Sequence, residues 1–350
     1  MKKILFFIQD GVGGAERMSL LIGKSLDKEI FEVSFCLTGQ KSSSSIVDFI
    51  PEGYHIIRIP NRNPLQLTWR IVSTIIREKP YAVFSSVINL NNKLLPFRFL
   101  YPAVKIIIRC DNYLYSYTEK QQKMIANFYP KANCIIAQTS EMRNELVNQL
   151  GIDATKVVVL QNPIDKQTID KKVRGMASPF QDSSNKHFVA VGRFNKQKGF
   201  DLLIDAFLEV YKKKTDIDLY IVGDNTLQDG SIYSDIIQKA KDNGVEELIH
   251  CVGYKDNPYI YLKNADCFVL SSRWEGLPNV LIEALYLGTP VAAFKCIPVV
   301  ERIVKEGING FLAGKENIYE LADAMLNASK LGEVESSYQS ATIDDFVKLF

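Results

Sequence analysis

The feature that most restricts the fold is an alternation, run twice along the chain, of short apolar stretches with helical patterns of amphipathic spacing. In the first half the apolar stretches are Lys3–Ile8, Val33–Leu37, His55–Ile59, Ala82–Ser86, Lys105–Arg109, Cys134–Ala137 and Val157–Leu160. Between them lie Ala15–Leu26, Leu67–Glu78 and Ser140–Leu150, with apolar residues every three or four positions. A strand buried on both faces shows a continuous apolar run, and the helix that covers it shows a stripe. Their alternation predicts a parallel α/β sheet. A second series follows, with strands at His187–Val191, Leu219–Val222, Leu248–Val252, Cys267–Ser271 and Pro290–Ala293. Its helices are expected at Phe200–Lys212, Ser231–Asn243, Val280–Leu287 and Tyr319–Ala328, and Ile343–Phe350 also has helical spacing.

A chain of 350 residues is too long for one ordinary core. The alternation pauses near Asn162-Pro163, and Lys166–Lys186 is polar, with Gly175, Pro179 and Ser183-Ser184-Asn185. The expected organisation is a first domain over 1–165, a linker over 166–186 and a second domain over 187–330, with 331–350 as a C-terminal segment. Two doubly wound α/β domains place ligands in a cleft facing both.

Hydrophobic residues make up 47% and charged residues 23%, an ordinary globular composition. The six cysteines form no CxxC pair and mostly sit in apolar runs, which reads as buried free thiols, not a zinc site or disulfide framework. The apolar run at the N-terminus ends at Gln9-Asp10, so it reads as a buried strand and not a leader. No stretch approaches the roughly 20 apolar residues that cross a bilayer, and the chain reads as cytoplasmic. Residues 1–165 hold 20 Lys+Arg against 14 Asp+Glu, a net of +6, while 166–350 carry a net of −4. The basic half suits an anionic acceptor or the inner face of a membrane; the other reading is uneven solvated charge. Near-neutral overall charge and the lack of a recognised motif argue against nucleic acid.

Three clusters could carry chemistry. The first runs from Ser271 to Leu285 and reads strand, loop, helix, with Glu275 in the loop and Glu283 eight positions later. Such a loop lies where open α/β sheets bind ligands, and the helix start offers unpaired N–H groups to an anion. The two carboxylates suit acceptance of hydrogen bonds from hydroxyls; alternatively Glu283 complements the helix dipole and Glu275 is solvated. The second cluster, Gly192-Arg193 to Lys198-Gly199, puts two cations on one strand-end loop, fit for a diphosphate or simply solvated. The third, Asp10-Gly11-Val12-Gly13-Gly14-Ala15-Glu16-Arg17, lets backbone approach a ligand closely or makes a tight turn. It is not GxGxxG, and no acidic residue after the second strand completes a dinucleotide fingerprint.

Taken together these clusters resemble the retaining GT-B glycosyltransferases of glycosyltransferase family 4. Glu275 and Glu283 match the family's E-x7-E motif. Gly288-Thr289-Pro290-Val291, Glu306–Leu312, the Gly192-Arg193/Lys198-Gly199 pair and Gly13-Gly14-Ala15-Glu16 match its other patterns. The resemblance implies that Arg193 and Lys198 hold the donor diphosphate, Glu275 a hydroxyl of the transferred sugar and Glu283 the ribose hydroxyls. Gly276, Leu277, Pro278, Asn279 and Val280 would line the phosphate, with Gly13 and Gly14 closing over it. Arg193, Lys198 and Glu275 would then be the catalytic set. It also implies that Asn162–Asp165 is a hinge and that the C-terminal helix crosses back to the first domain.

The expected partners are a nucleotide-sugar donor, UDP-linked, and a glycan or lipid-linked acceptor, with no cofactor and no metal. Many relatives place a histidine after a central strand of the first domain; none of His55, His187 or His250 stands there, and Asp111 or Asn112 is the candidate for that acceptor region. Lys295-Cys296-Ile297-Pro298 departs from the glycine pair usual at that loop. Lys93–Pro102 mixes basic and aromatic residues: it either touches an anionic membrane or is a buried helix with snorkelling Lys93 and Arg98. A GT-B sugar-nucleotide epimerase and a non-catalytic nucleotide-binding module are the competing classes.

Overall fold

The computed structural model describes residues 1–11, 13–39, 45–60, 63–180, 184–224 and 231–350. Val12 of the glycine loop and residues 181–183 of the expected linker lie outside the described residues. The chain divides into two compact units, Met1–Pro163 with Ser340–Phe350, and Ile164–Gln339.

The first unit contains β1 (Lys2–Gln9), α1 (Gly14–Lys24), β2 (Phe31–Thr38), β3 (His55–Ile59), α2 (Pro64–Glu78), β4 (Ala82–Ser85), α3 (Ile88–Leu94), β5 (Lys105–Arg109), α4 (Glu119–Phe128), β6 (Cys134–Ala137), α5 (Ser140–Asn144) and β7 (Val157–Val159). The strand order is β3-β2-β1-β4-β5-β6-β7. All neighbours are parallel, with Ile4 of β1 opposite Val33 on one side and Ala82 on the other. Continuous apolar runs are what this arrangement demands: Ile4 to Ile8 of β1 are buried because helices cover both faces.

The second unit opens with α6 (Lys166–Val173), followed by β8 (Lys186–Val191), α7 (Phe200–Tyr211), β9 (Ile217–Val222), α8 (Ser231–Asp242), β10 (Ile249–Gly253), α9 (Tyr259–Asn264), β11 (Cys267–Leu270), α10 (Asn279–Tyr286), β12 (Val291–Phe294), α11 (Pro298–Ile303), β13 (Gly310–Ala313) and α12 (Ile318–Ala328). Its order is β10-β9-β8-β11-β12-β13, again parallel throughout. Numbered from its own first strand, this is the doubly wound order 3-2-1-4-5-6.

The C-terminal helix α13 (Ile343–Val347) belongs to the first unit. Thr342 and Asp345 cap it reciprocally. Phe346 is fully buried in the core of β1, β2 and α1, and the Phe350 ring lies 5.7 Å from Phe6 and 6.2 Å from Phe84.

Three expectations need correction, and one strand is added. Lys166–Val173, read as linker, is a helix; only Ile169 on it is buried, so it carries no apolar periodicity. It is held by polar contacts instead, with Tyr286 Oη donating to Asp170 (2.9 Å) and Lys172 Nζ to Asp256 O (2.7 Å). Residues 331–339 belong to the second unit, where Val334 N–H donates to Gly288 O (2.9 Å), so the return begins at Ser340. The added strand is β13, whose four residues are too few for an apolar pattern to register in the sequence. The expected helix Ser140–Leu150 is α-helical only to Asn144 and continues to Gln149 in wider π-type turns.

Candidate functional site

In the second sheet the chain reverses its winding direction between β8 and β11, which pair directly with Phe188 opposite Cys267. The loops leaving these two strands must diverge there, and the opening at their carboxyl ends is where open α/β sheets bind ligands. The first loop is Gly192–Gly199 and the second Ser271–Pro278, so the strand order alone brings two of the three candidate clusters together.

Two glycines let the backbones approach. Gly199 has φ +62°, and a Cβ there would stand 2.1 Å from Ser271 O; at Gly223, after β9, a Cβ would stand 1.7 Å from Gly192 O. Around them the loops interlock. Ser271 Oγ donates to Lys198 O (2.9 Å), Gln197 Nε2 to Trp274 O (3.1 Å) and Arg273 N–H to Gln197 O (2.8 Å). Asn195, itself buried, accepts the Lys198 N–H on both its main-chain and side-chain oxygens.

The outcome is an ion pair. Lys198 Nζ meets Glu275 Oε1 at 2.6 Å, with the two side chains 18% and 8% exposed. Ser272 Oγ donates to the same carboxylate oxygen at 2.7 Å. The Lys198 stem lies across Gly192, with its Cγ, Cδ and Cε 3.0 Å from where a Cβ would be. Glu275 is therefore not a solvated loop residue. Arg193 on the same loop is exposed, and its side chain makes no hydrogen bond or ion pair with any described residue. Cys296, after β12, is buried close enough to feel the pair. Burial, reinforced by the Glu275 charge and opposed by Lys198, pushes its thiol up to about 12.

α10 begins at Asn279 with no side-chain cap hydrogen bond and no acidic residue in its first turn, so its N-terminal end carries the positive pole of the helix dipole. Glu283 stands in the second turn, half-buried, and accepts a long hydrogen bond from Tyr259 Oη (3.5 Å). That position is too deep for a dipole role at the helix start. Gly276, Leu277 and Pro278, which lead into the helix, are buried. Among the described residues, no group of three or more His, Cys, Asp or Glu side chains is arranged to hold a metal ion.

This site lies within a chain that matches two family models in succession, Glycosyltransferase Family 4 over residues 12–168 and Glycosyl transferases group 1 over 176–343. An uncharacterised glycosyltransferase of Haemophilus influenzae is 26% identical over 341 residues, 95% of this chain and 92% of that one. The chain is a glycosyltransferase of the GT-B class. The N-acetylgalactosamine-N,N'-diacetylbacillosaminyl-diphospho-undecaprenol 4-alpha-N-acetylgalactosaminyltransferase of Campylobacter jejuni is 28% identical to this glycosyltransferase over 305 residues, 81% and 78% of the two chains. The crystal structure of Anabaena Alr3699/HepE in complex with UDP and glucose shares its fold, with a TM-score of 0.77 at 19% identity over 99% and 98% of the chains.

The remaining candidates lie in the first unit of the glycosyltransferase. Gly13 is the N-cap of α1, and Gly14 its first residue. The Glu16 carboxylate folds back so closely that a Cβ on Gly13 would be 2.3 Å from its Oε2, a neighbour the glycine pattern did not anticipate. Ser86, after β4, bonds to Ser19 (2.6 Å) and to Ala15 O (3.3 Å), tying α1 across that sheet's own reversal point.

Asp111 does follow β5. Its carboxylate accepts from Tyr117 Oη; burial raises its pKa, against the pull of that bond, of nearby main-chain N–H groups and of Arg109. Asn112 lines a small cavity with Cys110, Tyr117, Tyr129 and Glu145. The three histidines sit at strand beginnings, at the end of each sheet away from these loops: His55 in β3, His187 in β8 and His250 in β10. Arg109, unremarked in the sequence, is 2% exposed and donates to Asn162, beside the Pro163/Ile164 division.

Lys93–Pro102 is buried near its start and exposed towards its end. Leu94 and Leu95 are buried, while Phe99 is 72% exposed. No helix among the described residues is long and apolar enough to cross a membrane.

Proposed function

We propose that this glycosyltransferase moves a hexosyl or N-acetylhexosaminyl group from a UDP-sugar to a glycan or lipid-linked saccharide, with retention of anomeric configuration and no protein-held metal, in bacterial surface polysaccharide synthesis. The observation that carries the reading is the Lys198–Glu275 pair at the reversal point of the second sheet, beside the uncapped start of α10. The Campylobacter relative, by its name, acts on a diphospho-undecaprenol-linked saccharide, and the Anabaena neighbour binds UDP, which supports the donor and acceptor classes.

Sugar transfer develops negative charge on the departing diphosphate and positive charge at the anomeric carbon. Lys198, with three N–H donors, keeps Glu275 while donating to phosphate, and Arg193 offers a planar fork that no other described side chain engages. The N–H groups at Asn279 and Val280, reached through Gly276, Leu277 and Pro278, stabilise the same charge without reorganising. Glu275 accepts from a sugar hydroxyl and Glu283 from the ribose, while a donor phosphate oxygen takes the acceptor proton. Gly13 and Gly14 share in donor binding by family resemblance, and Asp111 and Asn112 orient the acceptor. Contact with an anionic membrane rests on exposed Phe99 and Leu100 beside Arg98, and on exposed Leu65 and Trp69 of α2.

A thermal-shift screen of nucleotide sugars tests the donor: one present at 100 times its Kd stabilises by about 2.7 kcal/mol. The leading donor is then incubated with and without acceptor. Isomerised sugar without acceptor would mean an epimerase, and binding with no turnover at all would mean a nucleotide-binding module. Flotation on vesicles with and without anionic lipid, with Phe99→Ala as control, tests the membrane contact.

A further inference from the structure

Arg273 binds three loops together at the carboxyl edge of the second sheet. Its side chain is only 12% exposed. Nη1 donates to Lys196 O (2.9 Å) and Asp201 Oδ1 (2.8 Å), Nη2 to Asp201 Oδ2 (2.6 Å) and Nε to Glu316 Oε2 (3.0 Å). Its own main-chain N–H reaches Gln197 O (2.8 Å). One residue of the loop after β11 thereby grips the loop after β8, the first turn of α7 and the turn after β13.

Two further facts set it apart from an ordinary surface ion pair. Glu316 is held at φ +59°, one of two non-glycine residues with positive φ among the described residues. A residue stays in that region only when its surroundings over-determine it, and the Arg273 guanidinium is what its carboxylate meets. The gripped groups also bracket the Lys198–Glu275 pair: Lys196 and Gln197 immediately precede Lys198, and Arg273 stands two residues before Glu275.

We propose that Arg273 is a positioning residue for sugar transfer, setting the register in which Lys198 and Glu275 meet. The inference rests on the donor-site reading above. Its guanidinium is committed to protein acceptors, so it acts through the pair and not on the donor. A lysine cannot replace it, because a single ammonium lacks the planar fork that spans Asp201 while reaching Glu316.

The test compares wild type, Arg273→Lys, Lys198→Ala, their double variant and Glu316→Gly. The last suits the left-handed backbone and deletes one arm of the grip without damaging the fold. UDP affinity is measured by calorimetry, steady-state kinetics use the best donor from the screen, and amide exchange is followed on the ligand-free protein. Arg273→Lys should lower kcat/KM by on the order of 10²-fold, the usual scale for a misplacement of about 1 Å. It should also speed exchange over 192–199 and 271–278 together, and add little in the Lys198→Ala background. Glu316→Gly should show the same changes in weaker form.

Arg273→Lys that binds UDP and turns over normally, or whose effect simply adds to that of Lys198→Ala, overturns the inference while leaving the donor site standing. Lys198→Ala that binds UDP as wild type does overturns the donor-site reading, and with it the role given to Arg273.

Discussion

Removing one member of the Lys198–Glu275 pair leaves the other charge largely cut off from water, and the cost follows from the geometry. At 2.6 Å with an effective dielectric near 20, the attraction between the charges is about 6 kcal/mol. Desolvation offsets much of this, and deleting one partner of a buried pair typically costs about 3–5 kcal/mol. Here the lower end applies, because Glu275 keeps the Ser272 hydroxyl at 2.7 Å and Lys198 is 18% exposed. Lys198→Ala should therefore destabilise the second unit by about 3 kcal/mol. Lys198→Met combined with Glu275→Gln, which removes both charges, should cost less than the sum of the two singles, with a coupling of about 1–3 kcal/mol.

The assay is urea unfolding followed by tryptophan fluorescence. The chain has two tryptophans, Trp69 in the first unit and Trp274 beside Glu275 in the second, so a Trp69→Phe background reports the second unit alone. Following one unit avoids forcing a single transition on a two-unit chain. Additive singles, or a Lys198→Ala cost below about 0.5 kcal/mol, would refute the pair as a formed interaction in solution.

Gly199→Ala meets both a left-handed backbone and a Cβ 2.1 Å from Ser271 O. It should cost at least about 1–2 kcal/mol and weaken UDP binding, read by the same unfolding and calorimetry. Phe346→Ala empties a fully buried ring site in the first unit and should cost about 3–5 kcal/mol there, seen through Trp69 in a Trp274→Phe background, with the second unit unchanged. At Asp266 burial would raise the carboxyl, but bonds from His187 and Lys186 hold it at about 2, below its usual 3.8. Its contribution is thus complete above about pH 4 and lost as pH falls towards 2. The stability gap between wild type and Asp266→Asn should close over that window in acid titrations. Burial raises the Cys36, Cys110 and Cys267 thiols as well as Cys296, so a thiol reagent at pH 8 should label these four only on unfolding.

The sequence alone determined the two parallel sheets, because a strand covered on both faces leaves a continuous apolar run that no loop imitates. It also determined the residue types at the strand ends, where Arg193, Lys198, Glu275 and Glu283 stand in a pattern resembling a known family. The helix at Lys166–Val173 was illegible for the complementary reason: it is held by polar contacts to distant residues, and periodicity records only buried faces.

Tertiary structure decided what those residues do to one another. Lys198 and Glu275 are separated by 77 positions, and only the order β8-β11 makes them neighbours. Between two readings that spacing could not separate, burial removed Glu275 from solvent and helix position removed Glu283 from the first turn of α10. The role of Arg273 is not legible in the sequence because its partners lie on the loop after β8, the first turn of α7 and the turn after β13, all distant along the chain. Local pattern specifies elements, whereas a site assembled from strand ends exists only once the sheet has set which ends are adjacent.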